Sequence, residues 1–112
     1  MRVLVTGASG FVGRAACARL IEEGHEVLAL VRRPGSEPAG TTAVAGDLVD
    51  TARLTATVKD AAPDAVIHLA AEIASQRSVE KINAVNIDGT KALVDACRSL
   101  DPRPRFIFTS TV

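Results

Sequence analysis

The 112-residue sequence predicts a three-layer α/β fold built on a doubly wound parallel sheet, and three observations carry that prediction. Short apolar runs alternate with longer stretches of helical periodicity along the whole chain. The first run, Val3-Leu4-Val5-Thr6, breaks at Gly7 and resumes as a helix after Gly10, the strand, turn and helix opening of a βαβ unit. The runs themselves are aliphatic on both sides, as strands covered on both faces must be.

The first strand covers Arg2 to Thr6, and the first helix Phe11 to Glu23, with Val12, Ala16, Leu20 and Ile21 on one stripe and Gly24 as its stop. Glu26 to Val31 is the second strand. The breaker-rich loop Arg32-Arg33-Pro34-Gly35-Ser36-Glu37-Pro38 leads to a short third strand, Thr42 to Ala45, closed by Gly46-Asp47. A helix over Asp50 to Ala61 is expected to start with Asp50 as its cap and to end before Pro63. Ala65 to Ala70 is the fourth strand, and Arg105 to Thr109 the fifth.

Between these last two strands the spacing predicts one long helix from Ser78 to Leu100. Val79, Ile82, Asn86, Gly89, Leu93 and Cys97 fall on a single face of it, so an Asn and a Gly interrupt an apolar stripe. A helical glycine costs about 1 kcal/mol against alanine, and a buried Asn must find partners. Close packing on the sheet accounts for Gly89. A contact to a loop or ligand, or a satisfied core amide, accounts for Asn86.

Right-handed crossovers then set the strand order 3-2-1-4-5, with a switch point between the first and fourth strands where ligands of such sheets lie. Cys17 and Cys97 belong to helices on opposite faces of this sheet, so two buried thiols are expected rather than a disulfide, a metal site or a nucleophile.

Composition narrows the function. Lys plus Arg, 13, balances Asp plus Glu, 13, so there is no basic footprint for nucleic acid. No stretch approaches the roughly 20 apolar residues that cross a bilayer, and no signal-peptide pattern precedes the first strand. A cytoplasmic protein without a membrane partner is expected.

The glycines carry the chemistry. Gly7 allows the positive φ of a tight turn, Gly10 lets backbone amides approach an anion, and Gly13 lets the helix sit close to the strand. The first helical amides lie unpaired at the positive end of the helix dipole, where a pyrophosphate can be held without a cationic side chain. The spacing is GxxGxxG, and Val12-Gly13-Arg14 stands where a P-loop has Gly-Lys-Ser/Thr. A purely structural turn is the plainer reading of three glycines taken alone.

Five stretches in order add up to more. Thr6-Gly7-Ala8-Ser9-Gly10-Phe11-Val12-Gly13, Gly46-Asp47-Leu48, Val66-Ile67-His68-Leu69-Ala70-Ala71, Asn86-Ile87-Asp88-Gly89-Thr90 and Phe106-Ile107-Phe108-Thr109-Ser110-Thr111 resemble the N-terminal part of an extended short-chain dehydrogenase/reductase. The resemblance is to the NAD-dependent epimerase/dehydratase branch and covers essentially the whole chain. It implies a Rossmann-like NAD(P)-binding domain. Gly7, Gly10 and Gly13 with the Phe11 and Val12 amides would hold the pyrophosphate, and Asp47 and Leu48 would flank the adenine. Ala70 and Ala71 would line the nicotinamide ribose, with Asn86 ordering the loop beside it. Thr111, or else Ser110, would be the catalytic hydroxyl. His68 matches the family's histidine, for packing or for chemistry.

Cofactor choice follows from the end of the second strand. NAD-selective members carry an acid there for the ribose 2′-hydroxyl. This chain has Leu30-Val31-Arg32-Arg33, and a guanidinium matches a 2′-phosphate in charge and geometry. NADP is therefore expected over NAD, with a solvated arginine pair as the plainer alternative.

The family's acid/base pair is a Tyr followed four residues later by a Lys. This chain has no Tyr. The later strands and the substrate-binding segment are also missing, and the apolar fifth strand is left as an edge. The expectation is an N-terminal portion of a longer enzyme acting on a nucleotide sugar or another hydroxy or carbonyl substrate, a homodimer by resemblance, and inactive alone. A non-catalytic dinucleotide-binding or redox-sensing module is the second reading.

Overall fold

The computed structural model describes residues 1–69 and 84–109. Five strands form one parallel sheet: β1 (Arg2–Thr6), β2 (Glu26–Val31), β3 (Thr42–Ala45), β4 (Ala65–His68) and β5 (Arg105–Phe108). Their order is β3-β2-β1-β4-β5, the predicted one, with the switch between β1 and β4. Pairing runs Val5 against Ala29 and Ile67, and Thr6 against His68, so the carboxyl ends of β1 and β4 finish level.

The sheet splits the apolar interior in two. On one face, Leu4, Leu28, Leu30 and Val66 pack against Leu54, Val58 and Ala61 of α2 (Thr51–Ala61) and Leu93, Ala96 and Cys97 of α3 (Thr90–Arg98). On the other, Val3, Val5, Val27, Ala29, Val31 and Ala65 meet Cys17 of α1 (Phe11–Glu22), with Leu20 and Ile21 beside it. Alternate residues of each strand thus face opposite helical layers. Cys17 and Cys97 lie in different layers, both buried and both free thiols.

Helix ends follow local chemistry. At the end of α1, Gly24 takes a φ of 89° while its amide donates to the Ile21 carbonyl and the His25 amide to the Leu20 carbonyl. This paired closure satisfies two orphan carbonyls and needs the left-handed residue that glycine supplies. Helix α2 begins at Thr51, but Asp50 does not cap it with its side chain. Its carboxylate faces Arg53 at 3.5 Å, and the Arg53 amide donates to the Asp50 carbonyl instead.

Two expectations about the helices are corrected. The buried stripe of α1 runs through Gly13 and Cys17, while Val12 is 61% exposed. The first turn of this helix faces the glycine loop's opening rather than the sheet, so an apolar side chain there has nothing to cover it. The long helix is not uniform either: Ala84–Gly89 form a π-helical turn that feeds α3, and α3 ends at Arg98. Asn86 and buried Gly89, the two residues that interrupt the stripe, both lie in this widened turn. Such turns re-register a helix face and recur at functional positions. Residues 78–83 of the expected helix lie outside the described residues, as does Ala70 at the expected end of β4.

Among the described residues, no helix is long and apolar enough to cross a membrane.

Candidate functional site

β1 delivers the chain to the glycine loop from the centre of the sheet. Gly7 turns at a φ of 68°, and its carbonyl accepts the Gly10 amide at 3.2 Å. Gly10 is extended, with φ −75° and ψ 175°, and its carbonyl accepts the Arg14 amide at 2.9 Å to begin α1. A Cβ on Gly13 would lie 1.9 Å from the Gly7 carbonyl oxygen and 2.7 Å from the Ala8 Cα. Only a residue without a side chain lets the helix approach this closely. On Gly10 a Cβ would meet the same oxygen at 3.4 Å, an ordinary contact. Gly13 is thus required by packing and Gly10 is not.

The opening of α1 is suited to an anion. No side chain caps it, and its first turn carries no acid. Phe11 is 93% exposed, a large apolar side chain that the fold does not use. Arg14 reaches back, its Nε donating to the Ser9 carbonyl at 2.9 Å. That bond turns the Ser9 carbonyl toward a cation. A dinucleotide pyrophosphate fits this cradle in charge and in donor type.

The flanks are as follows. Arg32 and Arg33 follow β2 directly and are exposed, and neither guanidinium is in an ion pair among the described residues. Asp47 lies just beyond β3, half-buried, its Oδ1 accepting the Val49 amide at 3.1 Å. Leu48 is 7% exposed and lies in the same core cluster as Leu30 and Leu54, so its side chain belongs to the core. Asn86 is half-buried in the π-helical turn. Ala70, Ala71, Ser110 and Thr111 lie outside the described residues. The structure therefore gathers Gly7, Gly10, Phe11, Val12 and Gly13 into one loop, with Arg32, Arg33 and Asp47 at the ends of the strands to one side.

On the other side is the buried polar group at His68, whose hydroxyl partners sequence reasoning did not identify. His68, at the end of β4, is fully buried between two hydroxyls: Nδ1 is 2.6 Å from Thr6 Oγ1 and Nε2 is 2.7 Å from Thr90 Oγ1. Thr6 Oγ1 also accepts the Leu69 amide at 3.1 Å. Phe108 stacks on the ring with centroids 5.5 Å apart. Burial pushes the His68 pKa below its ordinary 6.5, which disfavours the charged ring; in the neutral form one nitrogen donates and the other accepts. The sequence offered only a faint signal for these partners, a hydroxyl closing an apolar strand at Thr6 and another at Thr90, with nothing in their spacing to pair them with His68.

Comparison with known proteins agrees with this geometry. Residues 3–112 match the NAD dependent epimerase/dehydratase family. The chain is 37% identical over 113 residues to the 2-alkyl-3-oxoalkanoate reductase of Stenotrophomonas maltophilia (strain K279a), covering 99% of this chain and 33% of that protein. It is 37% identical over 127 residues to a UDP-glucose 4-epimerase of Klebsiella pneumoniae, covering 99% of this chain and 89% of that protein. Among solved structures it is similar to the UDP-glucose 4-epimerase of Thermus thermophilus in complex with NAD, with a TM-score of 0.83, 32% identity and coverage of 99% and 38%. The chain thus spans about a third of the Stenotrophomonas and Thermus proteins and most of the Klebsiella one.

Proposed function

Because the chain belongs to the NAD dependent epimerase/dehydratase family, we propose that it forms the dinucleotide-binding part of an enzyme that moves a hydride between a nicotinamide and a hydroxy or carbonyl substrate. The observation that carries this reading is the uncapped start of α1, packed through Gly13 against the carbonyl of Gly7. The amides of Phe11, Val12 and Gly13 hold the pyrophosphate there. Asp47 and the Leu48 backbone would flank the adenine, and Ala70, Ala71 and Asn86 would serve the nicotinamide ribose. A bound nicotinamide would supply or take the hydride, and Thr111 or Ser110 would hydrogen-bond the reacting oxygen of a nucleotide sugar or similar substrate. Two copies pairing as a homodimer belong to the same proposal.

The cofactor we favour is NADP. Arg32 and Arg33 stand at the end of β2 without an ion pair among the described residues, where charge-assisted bidentate bonds to a 2′-phosphate are available. Titration of the chain with NADPH and NADH, followed by nicotinamide fluorescence, tests both claims. Tighter NADPH binding supports the full reading, equal binding removes the NADP preference, and no binding of either removes the function.

One observation favours a second reading. The 112 residues contain no Tyr, so the family's proton-transferring phenol is not among them. A non-catalytic dinucleotide-binding or redox-sensing module needs none. A Tyr-x-x-x-Lys in the sequence that follows Val112 in the parent supports the enzyme, and a parent without one supports the module.

A further inference from the structure

The imidazole of His68 joins three elements that the sequence separates. Its partners are Thr6, the last residue of β1, and Thr90, the first residue of α3. Thr6 immediately precedes Gly7, whose positive φ starts the anion loop. Thr90 immediately follows the π-helical turn that carries Asn86. The ring is rigid, fully buried and stacked on Phe108, so the separation of its two nitrogens sets the separation of the two threonines.

Packing alone does not account for this arrangement. A phenyl or aliphatic side chain would serve the contacts to Phe106 and Phe108 without burying two polar ring atoms. What imidazole adds is a directional bond at each end. A neutral ring donates at one nitrogen and accepts at the other, so each hydroxyl is held in one complementary orientation. The Leu69 amide, bonded to the same Thr6 oxygen, ties the start of the β4 loop into the link.

We infer that His68 is a positioning residue that fixes the glycine loop at the end of β1 against the π-helical turn before α3. This inference rests on the dinucleotide reading for its consequence: the loop and the turn stand on either side of β4's end, where the nicotinamide half of the ligand extends from the switch point. Neither His68 nor its threonines need touch the ligand.

The test is an amide and ring nitrogen NMR comparison of wild type, Thr90→Val and Thr90→Ser, each titrated with NADPH. Thr90→Val keeps the shape of the side chain and removes the hydroxyl. It is expected to shift the Gly7 and Leu69 amide resonances, across the sheet from the substitution, and to weaken NADPH about tenfold. Thr90→Ser is expected to restore both. Shifts confined to α3, or a serine variant that behaves like the valine one, overturn the inference. Wild-type chain that binds no dinucleotide removes the proposed function, and the Gly7 and Leu69 shifts then decide the link by themselves. Should Thr90→Val not fold, the wild-type ring decides: His68 nitrogens in one fixed neutral tautomer support the link, and a ring averaging between tautomers overturns it.

Discussion

Replacing Gly13 with alanine is expected to damage the fold and the anion site together, whereas Gly10→Ala damages only the site. The added methyl at position 13 would lie 1.9 Å from the Gly7 carbonyl oxygen and 2.8 Å from the Ala8 carbonyl carbon, both backbone atoms that no rotamer change can move. α1 must therefore lift from the loop by about 1 Å or more, a form of overpacking that costs roughly 1–3 kcal/mol. Removing a helical glycine returns at most about 1 kcal/mol. A 1.9 Å approach puts the cost at the upper end of that range, and the net loss of roughly 2 kcal/mol lowers the unfolding midpoint by about 8 °C. The lift also stretches the 3.2 Å bond from the Gly10 amide to the Gly7 carbonyl, which shapes the loop, so NADPH affinity falls as well. At position 10 the methyl meets only an ordinary 3.4 Å contact. Its stability is expected within about 0.5 kcal/mol of wild type, with affinity at least about tenfold weaker because the methyl occupies the anion's approach. Thermal unfolding by circular dichroism and fluorescence titration measure the two effects separately. A Gly13→Ala protein with native midpoint and native affinity refutes the reasoning, as does a Gly10→Ala protein destabilised to the same extent.

Other outcomes follow from the same structure. Arg32→Ala is expected to weaken NADPH by roughly ten- to a hundredfold, the worth of a charge-assisted hydrogen bond, and to leave NADH nearly unchanged; parallel loss for both cofactors counts against a 2′-phosphate contact. Since burial lowers the His68 pKa below 6.5, the unfolded chain takes up that proton first as the solution is acidified. Stability is therefore complete above about pH 6.5 and is lost as pH falls from there through the folded-state pKa, with a slope of at most about 1.4 kcal/mol per pH unit. Urea midpoints at pH 5 and 7.5 should differ more for wild type than for His68→Gln, and equal differences refute the assignment. Burial pushes the Cys97 thiol up to about 11 and raises that of Cys17 as well. Both should resist an aromatic disulfide reagent at pH 8 until urea is added, and rapid reaction of the native chain would contradict the packing described.

The strands and their order were legible because both depend on patterns that survive in one dimension. Val3 to Val5 and Val27 to Val31 are apolar on every residue, and crossover handedness leaves little choice once such runs alternate with helices. The glycine loop was legible for a similar reason: the positive φ of Gly7 and the close approach at Gly13 are two backbone requirements written as missing side chains, with Gly10 between them. Val12 misled because periodicity assumes that every turn of a helix faces the core, and the first turn of α1 faces the loop's opening. Asn86 and Gly89 were recognised as anomalous, but a π-helical turn has no sequence signature of its own and emerges only from packing. The His68 bridge lay furthest from view, since its partners stand 62 and 22 residues away along the chain. Spacing rules reach across one turn of helix or one strand pair, and no such rule joins Thr6, His68 and Thr90.

β1 has a neighbour on each side and carries the anion loop, and Val3, Leu4, Val5 and Thr6 are at most 2% exposed. Its amides should exchange with deuterated solvent only through global unfolding, while those of the edge strands β3 and β5 exchange through smaller openings. The loop is therefore hinged on a buried interior strand. An incoming phosphate finds its amides already aimed and has little backbone entropy left to remove. Most of the ordering that recognition requires is completed when the chain folds, before any ligand is present.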